Sequence, residues 1–172
     1  MLKKVAIFGL SMGSAATAMH LIYFFNRLYD QQSWAAVLPL LGNMVFSGLA
    51  VFLFIKSLVR DSETPPNMGK TLFGGLLTAL LVALCTVGGL QYVLKNRPEI
   101  IQDFKTVTMA NQKMLIEKNF PAAEQPAKMK EAEQILTKEL DISSLSFSQI
   151  QMCLSTGVVV ALVMFVRRMR RS

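Results

Sequence analysis

Charged residues are scarce in this chain, and they are unevenly distributed. Asp, Glu, Lys and Arg make up 17% of its 172 residues, whereas a typical soluble domain carries about 25%. The shortfall is concentrated in four long apolar runs, and such runs are typical of membrane spans rather than of a soluble core. The composition therefore argues against an ordinary soluble domain and indicates an integral membrane protein.

The residue types that build chemical sites are also few. Cys85 and Cys153 each lie inside an apolar run, His20 is the only histidine, and there is no CxxC motif or Cys/His cluster. Neither a zinc site nor a disulfide framework is indicated. No Gly-rich phosphate loop follows a strand, and no Ser/His/Asp set lies at one membrane depth. We therefore predict a protein that is not an enzyme, with no catalytic residue, metal or cofactor.

Each apolar run is long enough for a helix to cross the hydrocarbon layer of a bilayer, which takes about 20 residues. The first run could be a signal peptide, since Ala16-Thr17-Ala18 resembles a cleavage site. It continues seven residues past Ala18, however, which favours a retained span. The prediction is an all-α four-transmembrane-helix bundle forming a single membrane domain over 1–172, with spans at 5–25, 34–55, 71–94 and 147–166.

Small residues recur at helical spacing along three of the spans. Such faces let helix backbones approach closely in lipid. Packing within the chain is the favoured interpretation, and self-association through the same faces is the alternative. The residues are Gly9, Gly13 and Thr17 in the first span, Gly75, Ala79 and Ala83 in the third, and Gly157 and Ala161 in the fourth.

The segment 95–146 is the one long polar stretch, and it reads as two amphipathic helices. Asn96-Arg97-Pro98-Glu99 predicts a helix start, with Asn96 as the cap and Glu99 completing a capping box. We expect this helix to end near Lys118 and a second one to follow residues 119–126. Ser146-Phe147-Ser148-Gln149 has the same capping spacing and is predicted to open the last span.

The apolar faces of these two helices need a cover. The first face carries Ile100, Phe104, Val107, Met114 and Leu115, and the second carries Met129, Ala132, Leu136 and Leu140. The cover could be the membrane surface, the mouth of the bundle or a partner protein. Balanced charge and the lack of tryptophan favour a hairpin resting on the bundle, and a partner or second subunit stays open as the cover. Ile100, Phe104, Val107, Met129, Leu136 and Leu140 are thus the predicted bundle or partner contacts.

The distribution of charge predicts the topology. With four spans, the side holding both termini has nine Lys or Arg residues against two acids, while the other side has nine of each. Lys and Arg are retained on the cytoplasmic side. The prediction is a multi-pass protein of a bacterial inner membrane, with cytoplasmic termini and residues 95–146 in the periplasm. The net charge of +7 is then a topology signal, so nucleic acid is not an expected partner.

Two polar residues inside the spans are candidates for function. His20 lies near the outer end of the first span, and no Asp or Glu occurs within any apolar run. A hydrogen-bonded histidine that meets water at the interface is the favoured interpretation, with pH sensing or ligand contact as the alternative. Asn43 lies deeper and should face another helix, because a buried amide needs a partner.

The layout resembles a known family. Four spans, with a long amphipathic segment that opens Asn96-Arg97-Pro98-Glu99-Ile100-Ile101 before the fourth, are similar to domain-of-unknown-function family 4199, small integral membrane proteins mainly of Bacteroidota. The resemblance implies a bacterial inner membrane and carries over no catalytic or ligand residue. The predicted function is an accessory or scaffold subunit that contacts the lipid bilayer and either other membrane proteins or itself. A component of a small oligomeric channel or transporter is the alternative.

Overall fold

The computed structural model describes residues 1–30, 38–61, 67–139 and 142–169, and their regular structure is entirely helical. The predicted fold class is confirmed: four long helices form a bundle, and two further helices form a hairpin between the third and fourth spans. The helices are α1 (Leu2–Phe25), α2 (Leu38–Arg60), α3 (Met68–Asn96), α4 (Pro98–Asn119), α5 (Gln125–Glu139) and α6 (Ile142–Met169), with a 3₁₀ turn at Leu28–Asp30.

Helices α1, α2, α3 and α6 are long and apolar enough to cross a membrane. The helices extend past the predicted spans at several ends. Helix α2 runs to Arg60, α3 runs from Met68 to Asn96, and α6 begins at Ile142. The predicted cap at Ser146 therefore lies inside α6, where Ser146 Oγ accepts a hydrogen bond of 2.9 Å from Gln91 Nε2 of α3. Residues 34–37 of the second predicted span lie outside the described residues.

The four long helices contact one another in a ring, α1 to α2 to α6 to α3, and α2 also meets α3 across it. We call the end of the bundle that carries α4 and α5 the hairpin end. The opposite end, where Lys4 donates to Ser57 O at 2.8 Å, is the terminal end. One buried cluster includes Val5 and Phe54, and a second is formed by Ala16, Ala50, Val82, Ala83 and Cys153.

Helices α1 and α3 pack almost backbone to backbone. A Cβ atom built on Gly9 would lie 2.8 Å from Leu81 Cβ, and one on Gly13 would lie 2.6 Å from Cys85 Cβ. Real Cβ atoms do not approach so closely, so glycine is required at both positions. Thr17 Oγ1 donates to Cys85 O across the same interface, at 3.1 Å. The small face of the first span therefore lies inside this chain.

The small faces of α3 and α6 meet in the same way. A Cβ atom on Gly157 would lie 2.6 Å from Ala79 Cβ, and one on Gly75 would lie 3.4 Å from Ala161 Cβ. Ala83 is fully buried in the second core cluster. Close approach of this kind maximises van der Waals contact where lipid removes the hydrophobic drive between helices.

The hairpin helices α4 and α5 pack on each other and rest on the hairpin end of the bundle. The predicted capping box at the start of α4 is wrong. The N-cap is Arg97 and has no side-chain cap bond. Asn96 instead ends α3, donating from Nδ2 to Tyr92 O at 2.6 Å, and Glu99 pairs with Arg97. The physical reason is that α3 continues without a break to Asn96, which leaves only Arg97 between the two helices.

Candidate functional site

Polar chemistry is concentrated at two places among the described residues. One is the hairpin junction, where α4 meets the end of α1 and the 3₁₀ turn. The other is a layer of polar side chains inside the bundle, near the hairpin end. The junction positions the hairpin, and the layer is where buried polar atoms lack partners.

The hairpin junction is organised by Asp103 of α4. Arg27 Nη2 donates to Asp103 Oδ1 at 2.9 Å, and the Tyr29 hydroxyl donates to Asp103 Oδ2. One carboxylate thus receives a cation and a phenol from the segment that follows α1. Such charge-assisted hydrogen bonds are stronger than neutral ones. The arrangement fixes the position of α4 along the bundle axis.

The backbone at Arg27 is what brings these donors to α4. Its φ angle is 51°, in the left-handed region. An L-residue other than glycine adopts that region at a cost of about 1–2 kcal/mol. The conformation ends α1 and turns the chain back toward Asp103. The ion pair and phenol bond therefore hold a strained turn in place, and such strain persists only where the surroundings determine it.

Aromatic rings surround the polar contact at the junction. The ring of Phe104 lies 5.0 Å from that of Tyr29 and 5.9 Å from that of Phe24, both in edge-to-face geometry. Tyr29 also meets Tyr23 at 5.9 Å. Each such pair contributes about 0.5–1.5 kcal/mol beyond the area it buries. These rings cover the first part of the apolar stripe of α4, so the bundle itself covers Ile100 and Phe104.

The electrostatics keep the junction assembled over a wide pH range. Desolvation, followed by the hydrogen bond to Asp103, raises the pKa of Tyr29 to about 12. The phenol therefore stays protonated and remains a donor at neutral pH. Asp103 in turn raises the pKa of the Arg27 guanidinium. The hydrogen bond from Arg97 lowers the pKa of Glu99, so that pair is also fully charged at neutral pH.

A shallow groove of about 240 Å³ opens beside the junction. Both of its cations already have anionic partners, because Arg27 pairs with Asp103 and Arg97 with Glu99. Arg97 also lies 5.7 Å over the ring of Phe25. The groove is smaller than most pockets for drug-sized ligands. Its residues therefore serve to position α4, and they leave no charge free to recognise a ligand.

Helix α4 uses two faces, where the sequence predicted one. Ile100, Phe104 and Val107 share the side of α4 that meets the bundle, whereas the buried Ile116 lies about 160° around the helix from Ile100. Both Ile100 and Ile116 are buried, as is Leu136 of α5, and Met129 is half-buried. Leu140 lies outside the described residues.

Within the described chain, the bundle covers only the first half of this stripe. Met114 and Leu115 are 51% and 53% exposed. The physical reason is length: the bundle reaches only the first half of α4, and α5 packs against a different side. We call Met114 and Leu115 the tip edge. It is an apolar surface that the described part of the chain leaves uncovered.

The polar layer begins with His20, which is 1% exposed. The neighbouring helices enclose the ring, so His20 is hydrogen-bonded as expected but is not open to bulk water at the membrane boundary. Its Nδ1 lies 2.9 Å from Ala16 O, a contact in which Nδ1–H must donate, since a carbonyl oxygen only accepts. Nε2 has no hydrogen-bond partner among the described residues.

Asn43 and Gln149 extend the set of unsatisfied groups. Asn43 is fully buried, and both its amide nitrogen and its oxygen lack partners within the described chain. The same holds for Gln149 Oε1. A buried polar group left without a partner costs about 1–3 kcal/mol. Ser47, Thr78 and Thr86, by contrast, each donate to a backbone carbonyl.

Sequence reasoning missed Asp103 and Gln149. Asp103 falls three residues after Ile100 on the bundle-facing side of α4, so a charged partner could have been expected for it. Gln149 was assigned to a helix cap, although it lies inside α6, which begins at Ile142. The cysteines are free, and the described residues hold no group of three His, Cys, Asp or Glu side chains able to bind a metal ion.

Comparison with protein-family models, with curated protein sequences and with solved structures gives no match. The resemblance to domain-of-unknown-function family 4199 therefore stays a prediction.

Proposed function

We propose that this chain is a non-enzymatic accessory or scaffold subunit of a membrane complex, and that it binds another integral membrane protein through its tip edge. The observation that carries the proposal is the contrast along α4. Its first half is fixed to the bundle by Asp103 and Phe104, while Met114 and Leu115 remain about half exposed. A fixed helix that presents an uncovered apolar edge is suited to helix-in-groove recognition.

Charge balance favours a protein over lipid headgroups as the occupant of this edge. The hairpin residues 98–139 contain six lysines and seven acidic residues, and no tryptophan. Helices that lie on membrane surfaces are rich in Lys, Arg and aromatic residues. Part of the charge is also paired locally, since Lys128 Nζ lies 2.8 Å from Glu131 Oε2. The hairpin therefore has little attraction for an anionic membrane surface.

The small-residue faces do not serve as the docking surface in this proposal. Gly9, Gly13 and Thr17 are occupied by α3, and Gly157 by Ala79. Substituting them would disrupt the bundle before it released a partner. The proposed contact surface therefore lies on the hairpin and not on the spans. The hairpin rests on the hairpin end of the bundle.

We place the protein in a bacterial inner membrane, with both termini cytoplasmic and the hairpin periplasmic. The support is the charge asymmetry of +7 against zero between the two sides. Labelling of Leu115→Cys by a membrane-impermeant maleimide tests the orientation, because the two native cysteines lie inside spanning helices. Labelling in intact spheroplasts supports a periplasmic hairpin, and labelling only after lysis contradicts it.

A conduit is the second candidate, and the unpartnered atoms of His20 and Asn43 favour it. Against it stands the apolar cluster on the terminal side of these residues, where Ala16, Val82 and Cys153 are fully buried. Within one chain that cluster closes the path between the helices. Flux of protons or small solutes through liposomes containing the purified protein would favour the conduit over the subunit.

Site-specific photo-crosslinking tests the subunit proposal. A photoreactive amino acid at position 115 should form one discrete adduct with a different membrane protein in native membranes. Met114→Lys should abolish the adduct, because a charge at the edge opposes apolar docking, while the matched control Gln112→Lys should leave it intact. Adducts with phospholipid or with a second copy of this chain, or adducts unaffected by Met114→Lys, would overturn the proposal.

A further inference from the structure

Three of the spanning helices contribute a polar side chain with unpartnered atoms to one level of the bundle. The side chains are His20 of α1, Asn43 of α2 and Gln149 of α6. Their common level follows from contacts between neighbouring helices.

Helices α2 and α6 set the first pair. Ser47 Oγ of α2 donates to Cys153 O of α6 at 2.7 Å. Both helices run from the hairpin end toward the terminal end. Asn43 and Gln149 each come four residues earlier, so each lies one turn closer to the hairpin end, on the same face as the residue it precedes. The two amide side chains therefore occupy one level of adjacent helices.

Helix α1 completes the layer. Met19 packs against Gly42, where a Cβ atom would overlap the Met19 side chain, so the neighbouring residues His20 and Asn43 lie at similar depth. On α3, the register set by Gly13 against Cys85 and by Thr17 against Gly89 places Thr86 closer to the terminal end than His20, outside the layer.

The unsatisfied atoms of this layer define the chemistry of what would fill it. Because Nδ1–H of His20 is engaged by Ala16 O, Nε2 of the neutral ring is a bare acceptor. Asn43 offers one oxygen and one amide group, and Gln149 offers its oxygen. The four atoms are a mixture of acceptors and donors that make no hydrogen bond with each other. A small molecule that both donates and accepts would satisfy them together.

The same set of donor and acceptor atoms makes an ion an unsuitable ligand for this layer. No described residue in the layer carries a carboxylate, so a cation would lack a counter-charge. One amide group is a weak set of donors for an anion. Buried waters in proteins make about three hydrogen bonds to groups of this kind. Uncharged hydrogen-bonding ligands are therefore the class that fits.

We propose that this polar layer is a water-binding site inside the bundle, in which water donates to His20 Nε2 and bridges it to Asn43 and Gln149. The apolar cluster around Ala16, Val82 and Cys153 bounds the site on its terminal side. The site is thus a hydrated layer near the hairpin end rather than a path through the bundle. It gives Nε2 of the enclosed histidine a hydrogen-bond donor that the described residues do not supply.

A single histidine makes the test direct. The full-length protein, labelled with ¹⁵N only in histidine and placed in lipid nanodiscs, gives the two ring-nitrogen signals of a single imidazole. Transfer of magnetisation from water to this ring should be observed, with an Nε2 shift characteristic of a hydrogen-bonded acceptor. Asn43→Leu should remove most of the transfer. The control Thr78→Val, which alters a buried hydroxyl on the terminal side of the cluster, should preserve it.

The outcomes separate clearly. An absence of water transfer in the unsubstituted protein overturns the proposal, as does transfer from lipid headgroup protons in place of water. Unchanged transfer in Asn43→Leu also overturns it. If Asn43→Leu does not fold, Gln149→Leu supplies the same comparison, and the unsubstituted protein decides the question on its own. None of these results depends on the crosslinking at position 115.

Discussion

The bundle interfaces and the hairpin junction hold helices together by opposite means. Between α1 and α3 the contact depends on the absence of side chains, because glycine at positions 9 and 13 lets the two backbones approach closely. At the junction the contact is made by long side chains, with Asp103 reached from Arg27 and Tyr29. The difference shows that the spans are packed for rigidity, whereas the hairpin is fixed at one place and exposed beyond it.

The largest effect is expected at Gly157 in the α3/α6 interface, and Gly48 of α2, which also faces α6, is the matched control. Gly157→Ala places a Cβ 2.6 Å from that of Ala79, so it should destabilise the bundle by about 1–3 kcal/mol. In Gly48→Ala the new atom would lie 3.5 Å from its neighbours, an ordinary contact. That variant should be neutral or gain about 0.5–1 kcal/mol. Reversible unfolding in mixed micelles measures both, and equal effects would contradict the packing described.

The junction should respond more weakly and only locally. Asp103→Ala removes the acceptor of both hydrogen bonds, at a cost of about 1–2 kcal/mol, since the ion pair is partly exposed. Amide hydrogens in the first half of α4 should then exchange about tenfold faster. The amide hydrogens of α1 and α3 should keep their exchange rates. In the control Glu133→Gln, the amide hydrogens of α1, α3 and α4 should all keep their exchange rates. Faster exchange throughout the bundle would show that the junction supports more than the hairpin.

The pH dependence of the junction follows from Tyr29. Its pKa in the folded protein, about 12, is above the ordinary value of 10. The stabilisation is therefore complete below about pH 10 and is lost as the pH rises through 12. Phenolate absorbance should show a late titration step that Tyr29→Phe removes. Tyr92→Phe, at an exposed position, should leave that step in place; loss of the step in both variants would contradict the assignment.

The smallest effect is expected at the terminal end. The hydrogen bond from Lys4, followed by that from Arg60, lowers the pKa of Asp61. Because the pKa of Asp61 is lower in the folded protein, its ion pairs stabilise the fold above the pKa of the unfolded chain, which is near 4. This stabilisation is lost as the pH falls through the pKa of the folded protein. The pair is exposed and screened by salt, so Asp61→Asn should change the thermal midpoint less than Asp103→Ala does at neutral pH. A larger change in the thermal midpoint for Asp61→Asn than for Asp103→Ala would show that the ion pairs at the terminal end stabilise the fold more than the hairpin junction does.

The spans were predictable from the sequence because lipid imposes a strong condition. Every backbone group inside a membrane must be satisfied within the helix, so a long apolar run has one outcome. The hairpin was predictable for a similar reason, since Pro98 and the break near Pro121 punctuate two amphipathic patterns. The helix limits were less predictable. Asn96 could cap the helix after it or end the helix before it, and local preference does not distinguish these uses.

The candidate sites depended on partners far along the chain. Arg27 and Asp103 are separated by 76 positions, and no local pattern relates them. The burial of His20 likewise follows from how neighbouring helices enclose it, since its place in the first span suggested contact with water. Met114 and Leu115 show the converse, because their helical face was predicted to be covered and nothing in the described chain reaches it.

The sequence by itself determined that this protein is an all-helical bundle of four membrane-capable helices with a polar hairpin between the third and fourth. Hydropathy and helix punctuation are local properties, and they suffice for that result. Only the tertiary structure decided which faces meet: the small faces inward, Asp103 against Arg27 and Tyr29, and the polar layer at one level. The physical reason is that helix register and rotation depend on how surfaces fit together, and no single segment contains that information.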